Sequence, residues 1–240
     1  MKTIVVTGAT RGLGLAISRQ CVVDGYAVVA IGRSLTDTLS ALINEHPGKV
    51  HFQSYDLFNT QGIHQLATGI VKAYGRPWGL INNAAVGHDG VLATLHERDI
   101  AELIKVNIEA PILLAKYLMR PMLLNRGGRI INVSSIIATT GFNGLSVYGA
   151  SKAALAGFTR SLAREVGQAN ITVNTIAPGY METDMTSSLQ GDKLQSIKRR
   201  SPLGHLAKAE EVAYAVSYLL SEKAASVTGS TITVDAGSTA

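Results

Sequence analysis

Residues 3–14 read TIVVTGATRGLG: a short β-branched apolar run, then glycines at 8, 12 and 14, then a segment whose apolar residues recur at helical spacing. The run predicts a buried strand and the recurrence a helix. Glycines between the two let the backbone turn tightly and approach a ligand closely. The free N–H groups and positive end of the helix then favour a pyrophosphate. Gly8, Thr10, Arg11, Gly12, Leu13 and Gly14 are therefore candidate nucleotide-binding residues.

The same alternation continues outward along the chain. Further strands are predicted at 27–31, 50–55, 79–82, 128–134, 171–176 and 230–234, with helices near 13–24, 36–45, 60–74, 97–124, 146–167 and 208–221. Strands separated by helices lie parallel, and right-handed crossovers put helices on both faces of the sheet. The expected fold is α/β: a doubly wound Rossmann-type architecture with a seven-stranded parallel sheet, as a single domain over 1–240. Ligands in such sheets bind beyond the carboxyl ends of the strands. The irregular stretch 178–207, rich in Pro and Gly, is expected to be a lid over the substrate, with a short helix near 190–200.

Composition narrows the function classes. The chain has 240 residues, 46% hydrophobic and 16% charged, with one cysteine. Cys21 alone permits neither an intramolecular disulfide nor a cysteine-rich zinc cluster, and predicts a reducing, cytoplasmic setting. No apolar run approaches the roughly 20 residues of a membrane span, and the opening MKTIVVTGAT does not read as a signal segment. The six histidines form no ligand-spaced cluster, so no metal is expected. The net charge of +5 is spread over the chain, its densest cluster being Lys198-Arg199-Arg200, which reads as a solvated surface rather than a nucleic-acid face.

Cofactor choice should lie at the end of the second strand. An acid there would bind the ribose 2′-hydroxyl, an arginine a 2′-phosphate. The strand ends Ile31-Gly32-Arg33-Ser34, and with Arg11 the pattern predicts NADP(H). Asp56, beside Leu57, is either an acceptor for the adenine amino group or a loop cap. Asn83, with Ala84, either holds strand ends together or lines the adenosine pocket.

Tyr148 and Lys152 stand four apart at the start of a predicted helix and share one face. Ser135 ends the fifth strand, and Asn107 lies in the long helix after the fourth. Ketone reduction needs a hydride and a proton donor poised near the working pH. Tyr148 is the expected general acid. An ammonium about 5 Å away would lower its pKa by about 2.5 units at an effective dielectric of 20. Ser135 is expected to hydrogen-bond the carbonyl oxygen, and Asn107 to hold a water linking Lys152 to solvent.

With these residues in order, the chain resembles the short-chain dehydrogenase/reductases over essentially its whole length, and most of all their 3-oxoacyl-[acyl-carrier-protein] reductases. The resemblance rests on TGATRGLG (7–14), NNA (82–84), Asn107, Ser135, YxxxK (148–152), PG (178–179), the extended PGYMETDMT (178–186), GRIINVSS and LAREV. It implies NADPH-dependent reduction of a 3-oxoacyl thioester, a homotetramer built through the long helices and the C-terminal strand, and cofactor contacts from Pro178, Gly179 and Thr183. It also implies docking of an acidic acyl carrier protein through Arg129. Two positions depart from the family: Ala85 replaces a glycine, and Ala169 stands where a second docking arginine is expected, with Lys198, Arg199 and Arg200 as substitutes. The rival reading is a reductase or dehydrogenase of a free ketone or alcohol. A silent dinucleotide-binding sensor or RNA-binding protein is disfavoured by the intact Asn107, Ser135, Tyr148 and Lys152.

Overall fold

The computed structural model describes residues 1–181, 195 and 198–240. Seven strands form one parallel sheet: β1 (Thr3–Thr7), β2 (Ala27–Gly32), β3 (Val50–Ser54), β4 (Gly79–Asn82), β5 (Gly128–Val133), β6 (Ile171–Pro178) and β7 (Thr231–Val234). Their order is β3-β2-β1-β4-β5-β6-β7. The chain winds outward from β1 in one direction and restarts at β4 in the other. This reversal leaves a crevice at the carboxyl ends of β1 and β4, where such sheets take their ligands.

The described helices are α1 (Gly12–Val23), α2 (Asp37–Glu45), α3 (Ile63–Tyr74), α4 (Glu97–Ile104), α5 (Ala110–Asn125), α6 (Ile137–Thr140), α7 (Ser146–Val166) and α8 (Ala209–Leu220). Alternation along the strands decides which face each side chain enters. Ile4 and Val6 point to one face, with Ile17 and Cys21 of α1 and Val216 of α8, while Val5 points to the other, with Ile70 of α3 and Leu114 and Leu118 of α5. Both layers are fully buried, so the central strands read as continuous apolar runs. Among the described residues no helix is long and apolar enough to cross a membrane.

The helix expected at 97–124 is not uniform. Lys105–Glu109 forms a π-helical turn, with the Ala110 N–H bonding the Lys105 carbonyl five residues back. Pro111 gives a physical reason, since it lacks the N–H that an α-helix would offer to the Asn107 carbonyl. Such turns concentrate at functional positions.

A buried polar ladder fixes α7 across the sheet. Asn82 Nδ2 donates to Asn132 Oδ1 at 2.9 Å, Asn132 Nδ2 to Thr159 Oγ1 at 2.8 Å, and Thr175 Oγ1 to the same Thr159 oxygen at 2.8 Å. The ladder joins β4, β5 and β6 to the middle of α7. Thr159→Val keeps the side-chain shape but strands these donors, each at a cost of about 1–3 kcal/mol. Its unfolding midpoint in urea should fall accordingly, and an unchanged midpoint would show that the ladder does not hold α7.

Candidate functional site

The crevice begins with a close approach between β1 and β4. Thr7 Oγ1 donates to the Ile81 carbonyl and accepts the N–H groups of Asn83 (2.9 Å) and Ala84 (3.0 Å). Asn83 Nδ2 returns donations to the carbonyls of Thr7 (2.8 Å) and Gly8 (3.3 Å). Of the two roles open to Asn83, the strand-end tie is thus realised directly. A Cβ at Gly14 would lie 2.1 Å from the Gly8 carbonyl oxygen, and one at Gly8 would lie 2.9 Å from Ala84 Cα. Gly8 (φ 63°) and Gly12 (φ 51°) also take left-handed backbone that other residues rarely adopt.

Helix α1 therefore starts directly beneath the glycine loop. Arg11 precedes it without a side-chain cap, and its first turn carries no acidic residue. Among the described residues no side-chain cap bond answers the backbone donors that an anion would use there. At the next strand end, a Cβ on Gly32 would meet Thr10 Cγ2 at 2.4 Å, so Arg33 leaves β2 beside the loop that carries Arg11. Both arginines are exposed. Leu13 is buried against α1's core face. Asp56 accepts the Phe58 N–H at 3.0 Å, the turn-cap role, while Leu57 beside it is buried. Ala85 does not take positive φ, so the missing glycine imposes no strain.

The four predicted catalytic residues come together at the ends of β4 and β5. Lys152 is only 2% exposed, and its Nζ donates to the Val133 carbonyl at 2.9 Å. Ser134 Oγ donates to the Lys152 carbonyl at 2.7 Å, locking this turn of α7 to β5. Tyr148 is hydrogen-bonded by the Ser135 side chain, and its ring centroid is 5.7 Å from Lys152 Nζ. Ser135 Oγ also accepts the Ile137 N–H at 3.2 Å. Asn107 is fully buried: Oδ1 accepts the Val86 N–H, and Nδ2 donates to the Val86 carbonyl and to Ser151 Oγ. Ser151 in turn donates to the Tyr148 carbonyl at 2.7 Å.

Two expectations need correction. Tyr148 does not have a lowered pKa. Burial raises it and the Ser135 hydrogen bond pulls it down, with smaller upward contributions from Tyr180 and Asp89. Lys152 is itself held by burial at about 8, its amine turned to the Val133 carbonyl. The second correction is Arg129. It is 4% exposed and sits at the amino end of β5, away from the crevice. Its guanidinium donates to the carbonyls of Gly128, Asn170 and Ser221 and stacks 4.8 Å from Trp78. A side chain so committed is a structural clamp and is unavailable for docking a carrier protein. Ala169 packs against the core at the same end.

The segment expected as a lid is described at both ends. β6 ends at Pro178, whose carbonyl accepts the Ile136 N–H at 3.0 Å, and Gly179 packs so tightly on Asp235 that a Cβ would lie 2.6 Å from Asp235 Cβ. Met181 forms an isolated parallel bridge with Ala207. Thr183 lies outside the described residues, and of the expected helix near 190–200 only 195 and 198–200 are described, as helix. Asp235 accepts bonds from Gly237 N–H, Ser238 Oγ, Thr239 N–H and Thr239 Oγ1, which hold its pKa below the usual range against the upward pull of partial burial. This C-terminal turn presents the Ala236 carbonyl to Ser201 Oγ at 2.6 Å. Sequence reasoning left Thr7, Ser151 and Tyr180 without roles. Thr7 alone carried a signal, as the polar residue ending a buried strand.

Comparison with known proteins agrees with this geometry. A family model described as enoyl-(acyl carrier protein) reductase matches residues 8–239. A 3-oxoacyl-[acyl-carrier-protein] reductase of Pseudomonas aeruginosa is 38% identical over 242 residues, covering 98% of this chain and 96% of the relative. The Escherichia coli protein of the same name is 36% identical over 237 residues, with the same coverage. Among solved structures, a Serratia marcescens short-chain dehydrogenase/reductase double mutant superposes with a TM-score of 0.93 at 31% identity, covering 100% of this chain and 98% of that one. The chain belongs to the short-chain dehydrogenase/reductase family. A blue fluorescent protein from a metagenomic library, solved in complex with NADPH, also superposes with a TM-score of 0.93, at 30% identity and the same coverage. The family member described here is an oxidoreductase acting on ketone or hydroxyl groups.

Burial of Lys152 has a stability cost with a definite sign. Between pH 8 and 10.5 the unfolded chain holds a proton on this amine that the folded chain has lost, so stability rises with pH across that window. Below pH 8 the full cost, about 3 kcal/mol for the shift, is present. Lys152→Met should therefore be more stable than the parent at pH 7, with the difference shrinking by pH 10.5 in urea titrations. A constant difference across that range would refute the assignment.

Proposed function

We propose that the protein is an NADPH-dependent reductase of 3-oxoacyl thioesters, carrier-bound in the cell, giving the 3-hydroxyacyl product. The observation that carries this reading is Tyr148, hydrogen-bonded by Ser135 and backed by a fully buried Lys152. The thioester class is supported by identities of 36–38% to 3-oxoacyl-[acyl-carrier-protein] reductases over 98% of the chain. The dinucleotide fits the glycine cradle, where a Cβ at Gly8 or Gly14 would collide with backbone. Gly8, Thr10, Arg11, Gly12, Leu13 and Gly14 would hold its pyrophosphate side, Arg11 and Arg33 its 2′-phosphate, and Asp56, Leu57, Asn83 and Ala84 its adenosine. Pro178, Gly179 and Thr183 would hold the nicotinamide side, with Tyr148 and Lys152 on its ribose. When bound, it supplies the hydride.

The chain's own residues then manage the proton. Ser135 and Tyr148 donate to the ketone oxygen, so that charge developing there meets two hydroxyls. Tyr148 gives up its proton to the alkoxide. Lys152, in its ammonium form, stabilises the tyrosinate left behind. The Asn107 side chain is spent on Val86 and Ser151, so a relay water would be held by its backbone carbonyl, at the π-helical turn where Pro111 cannot supply the α-helical donor.

With Arg129 buried, carrier recognition falls to the exposed Arg199 and Arg200, the charge of Arg200 reaching Tyr180. Buried Arg129 is also the observation that favours the second reading, a reductase of free ketones. Exposed Leu123 and Leu124 on α5 and Tyr214 and Tyr218 on α8 support a homotetramer assembled through these helices. Sedimentation should then give four chains, and a monomer would overturn this.

The deciding assay is NADPH and NADH oxidation with a 3-oxoacyl thioester, offered carrier-bound and on a small thiol, beside free ketones. Turnover of the carrier-bound thioester with NADPH supports the proposal, and turnover of free ketones alone refutes it. Tyr148→Phe should lower kcat by about 10²–10⁴-fold. Arg33→Ala should raise KM for NADPH about tenfold and leave NADH unaffected. The reduction rate should fall as pH rises through about 8, where Lys152 loses its charge.

A further inference from the structure

Tyr180 follows the Pro178–Gly179 turn at the carboxyl end of β6, beside the strand end that carries Ser135. Its ring packs edge-on against Phe142, with centroids 6.0 Å apart and planes at 66°. The Tyr180 hydroxyl is buried and has no hydrogen-bond partner among the described residues. A buried phenol without a partner is costly, and native proteins tolerate one chiefly where something else completes it. Its surroundings say where that something sits. Tyr180 and Tyr148 are close enough that charge on one opposes charge on the other, and Asp89 acts on both. The orphaned donor therefore belongs to the same chamber as the catalytic phenol.

The ketone oxygen has two lone pairs, and Ser135 and Tyr148 occupy both. A third hydroxyl in the chamber must find a different acceptor. A 3-oxoacyl thioester carries one, the thioester carbonyl, two carbons from the ketone. We propose that the Tyr180 hydroxyl donates to that second carbonyl and makes the site select 1,3-dicarbonyl substrates over simple ketones. This deepens the proposed function and rests on it. Tyr180 is a specificity residue in this scheme: it orients the substrate by its second oxygen and takes no part in proton transfer. Asp89, exposed at the same chamber, adds no donor, and Arg200, whose charge also reaches Tyr180, is solvent-exposed, so Tyr180 supplies the buried neutral donor.

The test compares Tyr180→Phe with the parent, which removes one oxygen and keeps the ring against Phe142. The substrates are the acetoacetyl thioester of N-acetylcysteamine and a monoketone of matched length, both with NADPH. The expected result is a fall of about tenfold in the thioester-to-monoketone ratio of kcat/KM, the discrimination of one hydrogen bond. NADPH affinity should be unchanged, and the thermal midpoint equal or higher, because the hydroxyl has no partner to lose. Equal loss on both substrates, an unchanged ratio, or a lowered midpoint would each overturn the inference while leaving the proposed function intact. A parent enzyme that reduces no 3-oxoacyl thioester would overturn both.

Discussion

The site depends on one steric constraint: β1 and the loop after β4 must approach at backbone distance where the sheet reverses direction. Glycines at 8 and 14 make that approach possible, and the Thr7 hydroxyl and Asn83 amide hold it closed. The residues proposed to hold the dinucleotide are laid out from this contact. The helix N-terminus of α1 faces the crevice because Gly14 lets it start there. The loop from Asn83 to Val86 continues from the same clamp to Asn107, which grips the Val86 backbone from both sides. The proposed cofactor cradle and the proposed catalytic group are thus parts of one hydrogen-bonded run.

The catalytic end is organised by depth rather than by charge pairing. Lys152 is buried with a single backbone acceptor, and Tyr148 is held by Ser135. Burial therefore disfavours the charged form of both groups. Part of the electrostatic work is done in advance by the fold, which bears the cost of a buried amine so that it stands ready beside the phenol.

Much of this was legible in the amino-acid order, and the reasons are physical. Short β-branched runs alternating with helical spacing leave few topologies, and the glycines at 8, 12 and 14 mark the crossover, where a Cβ at 8 or 14 would collide with backbone and 8 and 12 take left-handed φ. Tyr148 and Lys152 were readable because helical spacing alone puts them on one face. Depth was not readable. GRI at 128–130 carries no sign that Arg129 lies under Trp78 and three carbonyls, and YxxxK does not reveal that burial sets the direction for Tyr148. The π-helical turn escaped for a related reason: Pro111 announces a lost donor, but which carbonyl is released depends on where the helix starts.

The bridge between Met181 and Ala207 has an evolutionary consequence. The chain leaves the sheet and returns at paired positions, with Gly179 seated on Asp235 and Ser201 tied to Ala236. A connection pinned at both ends pays its closure entropy once, and doubling its length adds only about 0.6 kcal/mol. A change in the length of this connection therefore costs the fold little, while the strand ends that frame the site stay where they are. One scaffold can in this way diversify its substrates without re-solving its stability.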